Sequence, residues 1–357
     1  ILFWVGVGMF GPVPLSAQRV FTPGAVKNLQ ATEPFHYQSR YRIDEQEYER
    51  VKSLLDYAWA DGSQGVVVDS RAAFIEALGQ AKPGAIILIE SGRYHNWGRI
   101  EIDVHGEAGK PIIIAPRRPH SVTFTGDMSL VFTGDHLCLQ GLNFYQINRG
   151  DRRTYNSMIT VDGEYNRITG CRFLNCAWEA RDRNGCRYII IYRSRYGRFD
   201  HNLIYKREGK VRFAGSEQMY QKDRIGLQLC DHNIFRDSRE HRQRNKNSEA
   251  IFVGRGFTHV AYIMVGLIAE YNIFDYECGD KDGEIVTDKA SGSIWRHNVF
   301  ANGPCFFSLR HGNTATVYGN VIANTFSERD WHGEIFGGHS LHGDHHLVVN
   351  NYGMNSR

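Results

Sequence analysis

No Cys-x-x-Cys pair occurs in the 357 residues; Cys138, Cys171, Cys176, Cys186, Cys230, Cys278 and Cys305 stand scattered. That argues against a thiolate-clustered zinc site and a thioredoxin-like redox centre. It leaves the cysteines as small apolar residues for a core, although an odd count in an exported chain implies at least one free thiol. No stretch beyond residue 15 is apolar enough to predict a membrane span. Nucleic-acid recognition motifs are missing too, so no nucleic-acid partner is expected. Helical patterning is confined to the first quarter of the chain.

What is present begins with Ile1 to Leu15, an apolar stretch without Lys or Arg that closes in Ser16-Ala17-Gln18. This has the form of a secretory signal remnant over residues 1–18. Gly6, Gly8, Gly11, Pro12 and Pro14 make it a poor spanning helix. A secreted or periplasmic protein with no membrane span in its mature form is expected. Residues 19–65 read as an N-terminal extension. In it Val51, Leu54, Leu55 and Ala58 lie at helical spacing between Asp44 and Trp59, which predicts an amphipathic helix packed as an extra cap.

The apolar fraction of 42% and charged fraction of 23% are those of a globular protein with ample core. The net charge of +3 conceals an asymmetry, because residues 149–255 carry 19 Arg and 4 Lys against 13 Asp and Glu. Such a stretch suits a polyanion, since Arg matches carboxylates with forked hydrogen bonds; a solvated basic face is the plainer reading.

From residue 142 one phrase recurs: Leu142-Asn143-Phe144, Asn202-Leu203-Ile204, Asn233-Ile234-Phe235, Asn272-Ile273-Phe274, Asn298-Val299-Phe300, Asn320-Val321-Ile322 and Val348-Val349-Asn350-Asn351. Short Ile/Val/Phe strands between Gly and Asn turns, without intervening helices, predict a stacked solenoid over residues 66–357. A β-sandwich is the structural alternative. Asn suits the bends because it tolerates left-handed backbone, and stacked Asn side chains can hydrogen-bond along a ladder. Upstream, Val66-Val67-Val68 reads as a strand. Ser70 caps a helix through Leu78 with Phe74, Ile75 and Leu78 on one face, which covers the first coil.

Two cations stand out, in Gly283-Glu284-Ile285-Val286-Thr287-Asp288-Lys289 and in Ser308-Leu309-Arg310-His311-Gly312. A lysine whose amine is kept unprotonated by burial and neighbouring cations can take a proton from carbon beside a carboxylate. Arg310 can stabilise the negative charge that develops, though its very high pKa makes it a poor proton donor. Asp282 and Glu284 at i, i+2 share one face of a strand. They offer oxygens for Ca²⁺, or partners for neighbouring cations.

These phrases, with Ser248-Glu249-Ala250-Ile251-Phe252-Val253-Gly254 and Glu270-Tyr271-Asn272-Ile273-Phe274, resemble polysaccharide lyase family 6, which includes alginate lyases and chondroitinase B. The likeness is densest from Asn245 to Tyr352, and weaker similarity reaches back to Ala81-Lys82-Pro83-Gly84, Gly92-Arg93-Tyr94 and Pro111-Ile112-Ile113-Ile114. It implies an all-β, right-handed parallel β-helix with an N-terminal capping helix. It also implies an exported lyase that cleaves an acidic, uronate-containing polysaccharide by β-elimination. Alginate is favoured over dermatan sulfate or chondroitin.

By the same resemblance Lys289 is the base and Arg310 the acid or charge stabiliser, with His311 orienting the arginine or the substrate. Arg255 and His339 contact substrate, and Asp282 and Glu284 hold calcium. The family's third calcium ligand is an Asn whose place falls on Lys246. Either the Lys246 ammonium replaces the metal beside the substrate, or the register slips by one to bring in Asn247. Family members commonly carry Arg where Phe252 stands. Two other readings share these features: a uronate C5-epimerase, and a non-catalytic β-helix that binds acidic polysaccharide. Further coils or a second domain are expected beyond Arg357.

Overall fold

A computed structural model describes residues 45–147, 157–176, 188–207, 209–213, 226–238, 249–254, 265–275, 284–303, 306–323 and 339–354. The proposed signal, residues 1–18, lies outside them. No helix among the described residues is long and apolar enough to cross a membrane.

Among the described residues, strands of three to five residues stack into three parallel sheets, of eleven, nine and ten strands. Each strand pairs with the one a full turn earlier and a full turn later, as Phe173 does with Phe144 and Ile204. This is a right-handed parallel β-helix, and it rules out the sandwich, whose sheets are antiparallel.

The recurring phrase now has a physical meaning. Its aromatic position forms an inward column on the ten-stranded sheet: Phe124, Phe144, Phe173, Ile204, Phe235, Phe274, Phe300 and Ile322 in register. Neighbouring rings stack, with centroids 5.1 Å apart for Phe144 and Phe173 and 4.7 Å for Phe274 and Phe300. Each buried ring contributes about 1.5–3 kcal/mol by leaving water.

The Asn position forms a second column: Asn202, Asn233, Asn272, Asn298, Asn320 and Asn351. From Asn233 on, each Oδ1 accepts both the backbone N–H and the side-chain amide of the Asn one coil earlier, as Asn272 does from Asn233 at 3.0 and 2.9 Å; Asn202 Oδ1 accepts from the Cys171 N–H at 2.8 Å. Each Nδ2 also donates to a core-side carbonyl, as Asn272 does to Cys230 at 2.8 Å. The bend itself falls one residue earlier than the sequence suggests. The left-handed residues are His201, His232, Tyr271 and His297, with φ of 55, 56, 55 and 57°. Their rings stack on one another outside the coil. Asn143 does not join the ladder: it is in register with Arg172, not Asn202, and donates to the carbonyls of His120 and Val122.

Two helices accompany the coils among the described residues. Helix α1, Glu45–Leu54, ends before the predicted Trp59 and is not a cap. It lies along the outer flank of the eleven-stranded sheet, where Tyr48, Val51 and Leu55 cover Leu88, Ile113, Leu229 and Ile268. Leu54 is half-buried and Ala58 exposed, so neither anchors it. Helix α2, Arg71–Gln80, covers the first coil as expected, with the Ser70 hydroxyl accepting from Ala73 N–H. Its buried face is Phe74, Ala77 and Leu78; Ile75 is exposed.

Beneath α1 runs a row of buried ion pairs, Arg167 with Asp200, Arg198 with Asp231 and Arg296 with Glu270. Further along the coils Arg193 pairs with Asp162 and Arg195 with Glu164. Among the described residues, Arg167, Arg193, Arg195 and Arg198 of the basic stretch are therefore neutralised internally. Cys138, Cys171, Cys176 and Cys230 are buried thiols, as their scatter predicts; Cys186, Cys278 and Cys305 lie outside the described residues.

Candidate active site

Four adjacent strands of the nine-stranded sheet, Lys210–Phe213, Ile251–Val253, Glu284–Asp288 and Phe306–Leu309, bring the candidate residues together. Side chains alternate across a strand. Val211, Ile251, Val286 and Phe307 are in register and face the core, so Arg212, Phe252, Thr287 and Ser308, also in register, face away from it. The strand Glu284–Asp288 ends with Asp288 turned inward, buried between Val253 and Leu309. There it accepts from Trp295 Nε1 at 2.8 Å and Ala290 N–H at 3.0 Å. Burial raises its carboxyl pKa, with those donors opposing. Lys289, the next residue, then turns outward.

Lys289 and Arg310 occupy equivalent places on adjacent coils. Lys289 N–H donates to Val253 O at 3.0 Å, and Arg310 N–H to Asp288 O at 2.7 Å. The 21-residue step is thus one turn of the solenoid. The Lys289 amine is half-buried. Desolvation and then the Arg310 charge push its pKa below the ordinary lysine value, with Lys210 adding to that and Glu249 and Glu284 opposing. Arg310 Nη1 donates to Glu284 Oε2 at 2.9 Å, and that oxygen also accepts from the Thr287 hydroxyl at 2.6 Å. His311, partly buried, has its pKa lowered by desolvation and by the neighbouring Lys289 and Arg310 charges.

Three contributors to this cluster were not singled out as site residues from sequence. Lys210 and Glu249 form a buried ion pair at 2.6 Å, and Arg212 lies over the Phe252 ring. The alternation Lys210-x-Arg212 is a signal that two cations leave one strand together. The uneven spacing of this coil from the next concealed which strands they would meet.

The sequence profile of the chondroitinase B family matches residues 68–357. The chain belongs to the chondroitinase B family. Solved structures agree in fold. The alginate lyase AlyGC of polysaccharide lyase family 6 superposes with a TM-score of 0.65 at 23% identity, over 81% of this chain and 38% of that one. A mannuronic acid-specific family 6 lyase from human gut microbiota gives 0.67 at 22%, over 82% and 65%. The family 6 lyase Pedsa3628 from Pseudopedobacter saltans gives 0.61 at 19%, over 81% and 63%. This chain therefore spans less than two thirds of the length of each. No curated protein matches its sequence.

Of the residues assigned from the family resemblance, Lys289, Arg310, Glu284 and His311 fall within the described residues. The two cations and Glu284 form one cluster, with His311 close enough to feel both charges. Lys246, Asn247, Arg255 and Asp282 lie outside the described residues. His339 opens the strand beside Phe306–Leu309, with its backbone in register with Phe307; its side chain is outside the description.

Among the described residues, the calcium expected from the family meets few uncommitted donors. The Glu284 oxygen is already shared by Arg310 and Thr287, and Glu249 is held by Lys210. A hard dication needs carboxylate oxygens that no cation has neutralised. The described donors do not fit it. Asp200, His201 and Asp231 form the one group of ligating atoms at metal spacing among the described residues. Arg167 and Arg198 claim both carboxylates there, so that cluster is part of the ion-pair row.

Proposed function

We propose that this family member is a polysaccharide lyase that cleaves a uronate polymer, with alginate favoured, by β-elimination. Export to the periplasm or medium goes with that reading. The observation that carries it is the Lys289 amine: half-buried, lowered in pKa, without a carboxylate partner among the described residues, and one coil from a guanidinium. Such an amine is available in its free, proton-accepting form at lower pH than an ordinary lysine.

In the proposed reaction Lys289 Nζ takes the C5 proton. The C5–H electron pair forms the C4–C5 double bond, and the C4–O bond breaks with its electrons on the departing oxygen. Arg310, held in place by Glu284, faces the charge that develops and stabilises it without giving up its own proton. Water supplies the proton that the departing oxygen needs. The alginate lyase AlyGC and the mannuronic acid-specific lyase among the structural neighbours support the choice of polymer.

Lys289→Met, which keeps the chain length and removes the amine, is expected to lower kcat by roughly 10²–10⁴-fold with little change in melting temperature. Unsaturated product formed at the wild-type rate would remove Lys289 from the mechanism. No step above runs through calcium, so exhaustive chelation should leave turnover intact. A loss restored by added Ca²⁺ would instead mean that Glu284 exchanges Arg310 for metal.

A further inference from the structure

Three cations surround the Phe252 ring: Lys210 Nζ at 4.7 Å, Lys289 Nζ at 5.1 Å and Arg212 Cζ at 5.3 Å from its centroid. Glu249 neutralises Lys210, and Glu284 neutralises Arg310 beside them. Among the described residues no carboxylate forms an ion pair with Lys289 or Arg212. The reaction assigns work to the first. Arg212 has none.

Its guanidinium is fixed without being neutralised. Nη1 meets the Tyr188 hydroxyl oxygen at 3.2 Å, and Nη2 donates to the Gly254 carbonyl at 3.1 Å. The group lies over the Tyr188 ring at 5.4 Å as well as over Phe252, while its buried Nε has no acceptor. Gly254 in turn abuts the base, because a Cβ there would come within 3.1 Å of the Lys289 carbonyl carbon. A planar, partly buried fork held by two rings and a carbonyl is preorganised for a carboxylate, so little rotamer entropy is lost on binding.

The strands that carry Arg212 and lead into Lys289 are two steps apart in the sheet. That is about 10 Å at the usual strand spacing, farther than a carboxylate lies from the C5 proton of its own sugar. We propose that Arg212 is the anion anchor of this cleft and binds the carboxylate of the uronate adjoining the one that Lys289 deprotonates. This rests on the lyase reading above.

Steady-state kinetics on a uronate polymer test it, together with calorimetric binding of a saturated oligouronate in the Lys289→Met background. Arg212→Met should raise KM roughly ten- to hundred-fold, the loss of a charge-assisted contact, and leave kcat within about threefold. Arg212→Lys, which keeps charge but loses the fork, should fall between. Tyr188→Phe, which frees the guanidinium, should raise KM by less than Arg212→Met. Oligouronate affinity should drop by the same factor when Arg212→Met is added to Lys289→Met. An unchanged KM and affinity in a folded Arg212→Met protein overturns the proposal, as does a collapse of kcat at constant KM. Should wild type turn over no uronate polymer, the lyase reading fails, and the binding comparison still decides whether Arg212 anchors a carboxylate.

Discussion

At the scale of single residues, the chemistry depends on which charges are matched. Lys289 and Arg310 are both cations on one corner, yet only Arg310 has a carboxylate against it among the described residues. An unmatched, half-buried ammonium is the costlier state, so the proton affinity of Lys289 falls. A base acts in its free form, so kcat/KM should rise with pH through the Lys289 ionisation and level off above it. The midpoint should fall below the ordinary lysine value of about 10.4. A pH–rate profile on the wild-type enzyme checks this, and a limb centred at the ordinary value contradicts it. Asp288 shows the limit of reading a motif as a row of equals. It adjoins the proposed base Lys289 in sequence, but strand alternation turns it into the core, where it fixes Trp295.

At the scale of elements, the repeated phrase carries two columns that do different work. The aromatic column fills the interior, and the Asn column satisfies the backbone where the strands bend. Each Asn in mid-ladder closes hydrogen bonds on both sides, so Asn272→Ala strands the Asn233 backbone N–H, the Asn233 amide and the Cys230 carbonyl at once. A loss on the order of 2–4 kcal/mol is expected from such unsatisfied buried groups, measurable as a drop in chemical-denaturation midpoint. A change below about 0.5 kcal/mol would mean that water or backbone movement replaces the ladder.

The phrase was legible because Asn and Phe repeat at fixed places in it. The left-handed residue before each Asn was missed because His, Tyr, Gly and, at position 350, Asn all fill it, so no single letter marks the bend. Helix α1 was found by its periodicity but misplaced. Its apolar stripe says that it buries one face, and says nothing about whether the end or the flank of the solenoid receives it.

At the scale of the whole molecule, a solenoid brings residues 21 to 40 positions apart to within a strand or two of each other, at whatever corner they share. Lys289 and Arg310 were readable as partners because their separation equals one turn and both stand in distinctive phrases. Lys210, Arg212 and Glu249 belong to coils of unequal length, so their place beside the pair needed the three-dimensional register. The buried arginines beneath α1 are each matched by a carboxylate, so Arg167 and Arg198 of the basic stretch serve packing rather than a charged face. Among the described residues, Lys289 and Arg212 are two cations without a carboxylate partner that stand together beside the Phe252 ring.

The most direct test of the central claim is to incubate the wild-type protein with alginate and identify the new chain ends by ultraviolet absorbance and proton magnetic resonance. The account predicts shortened chains that carry a C4–C5 double bond at the new non-reducing end. Exchange or inversion at C5 without any double bond, or chains left whole on every uronate polymer tried, would contradict it.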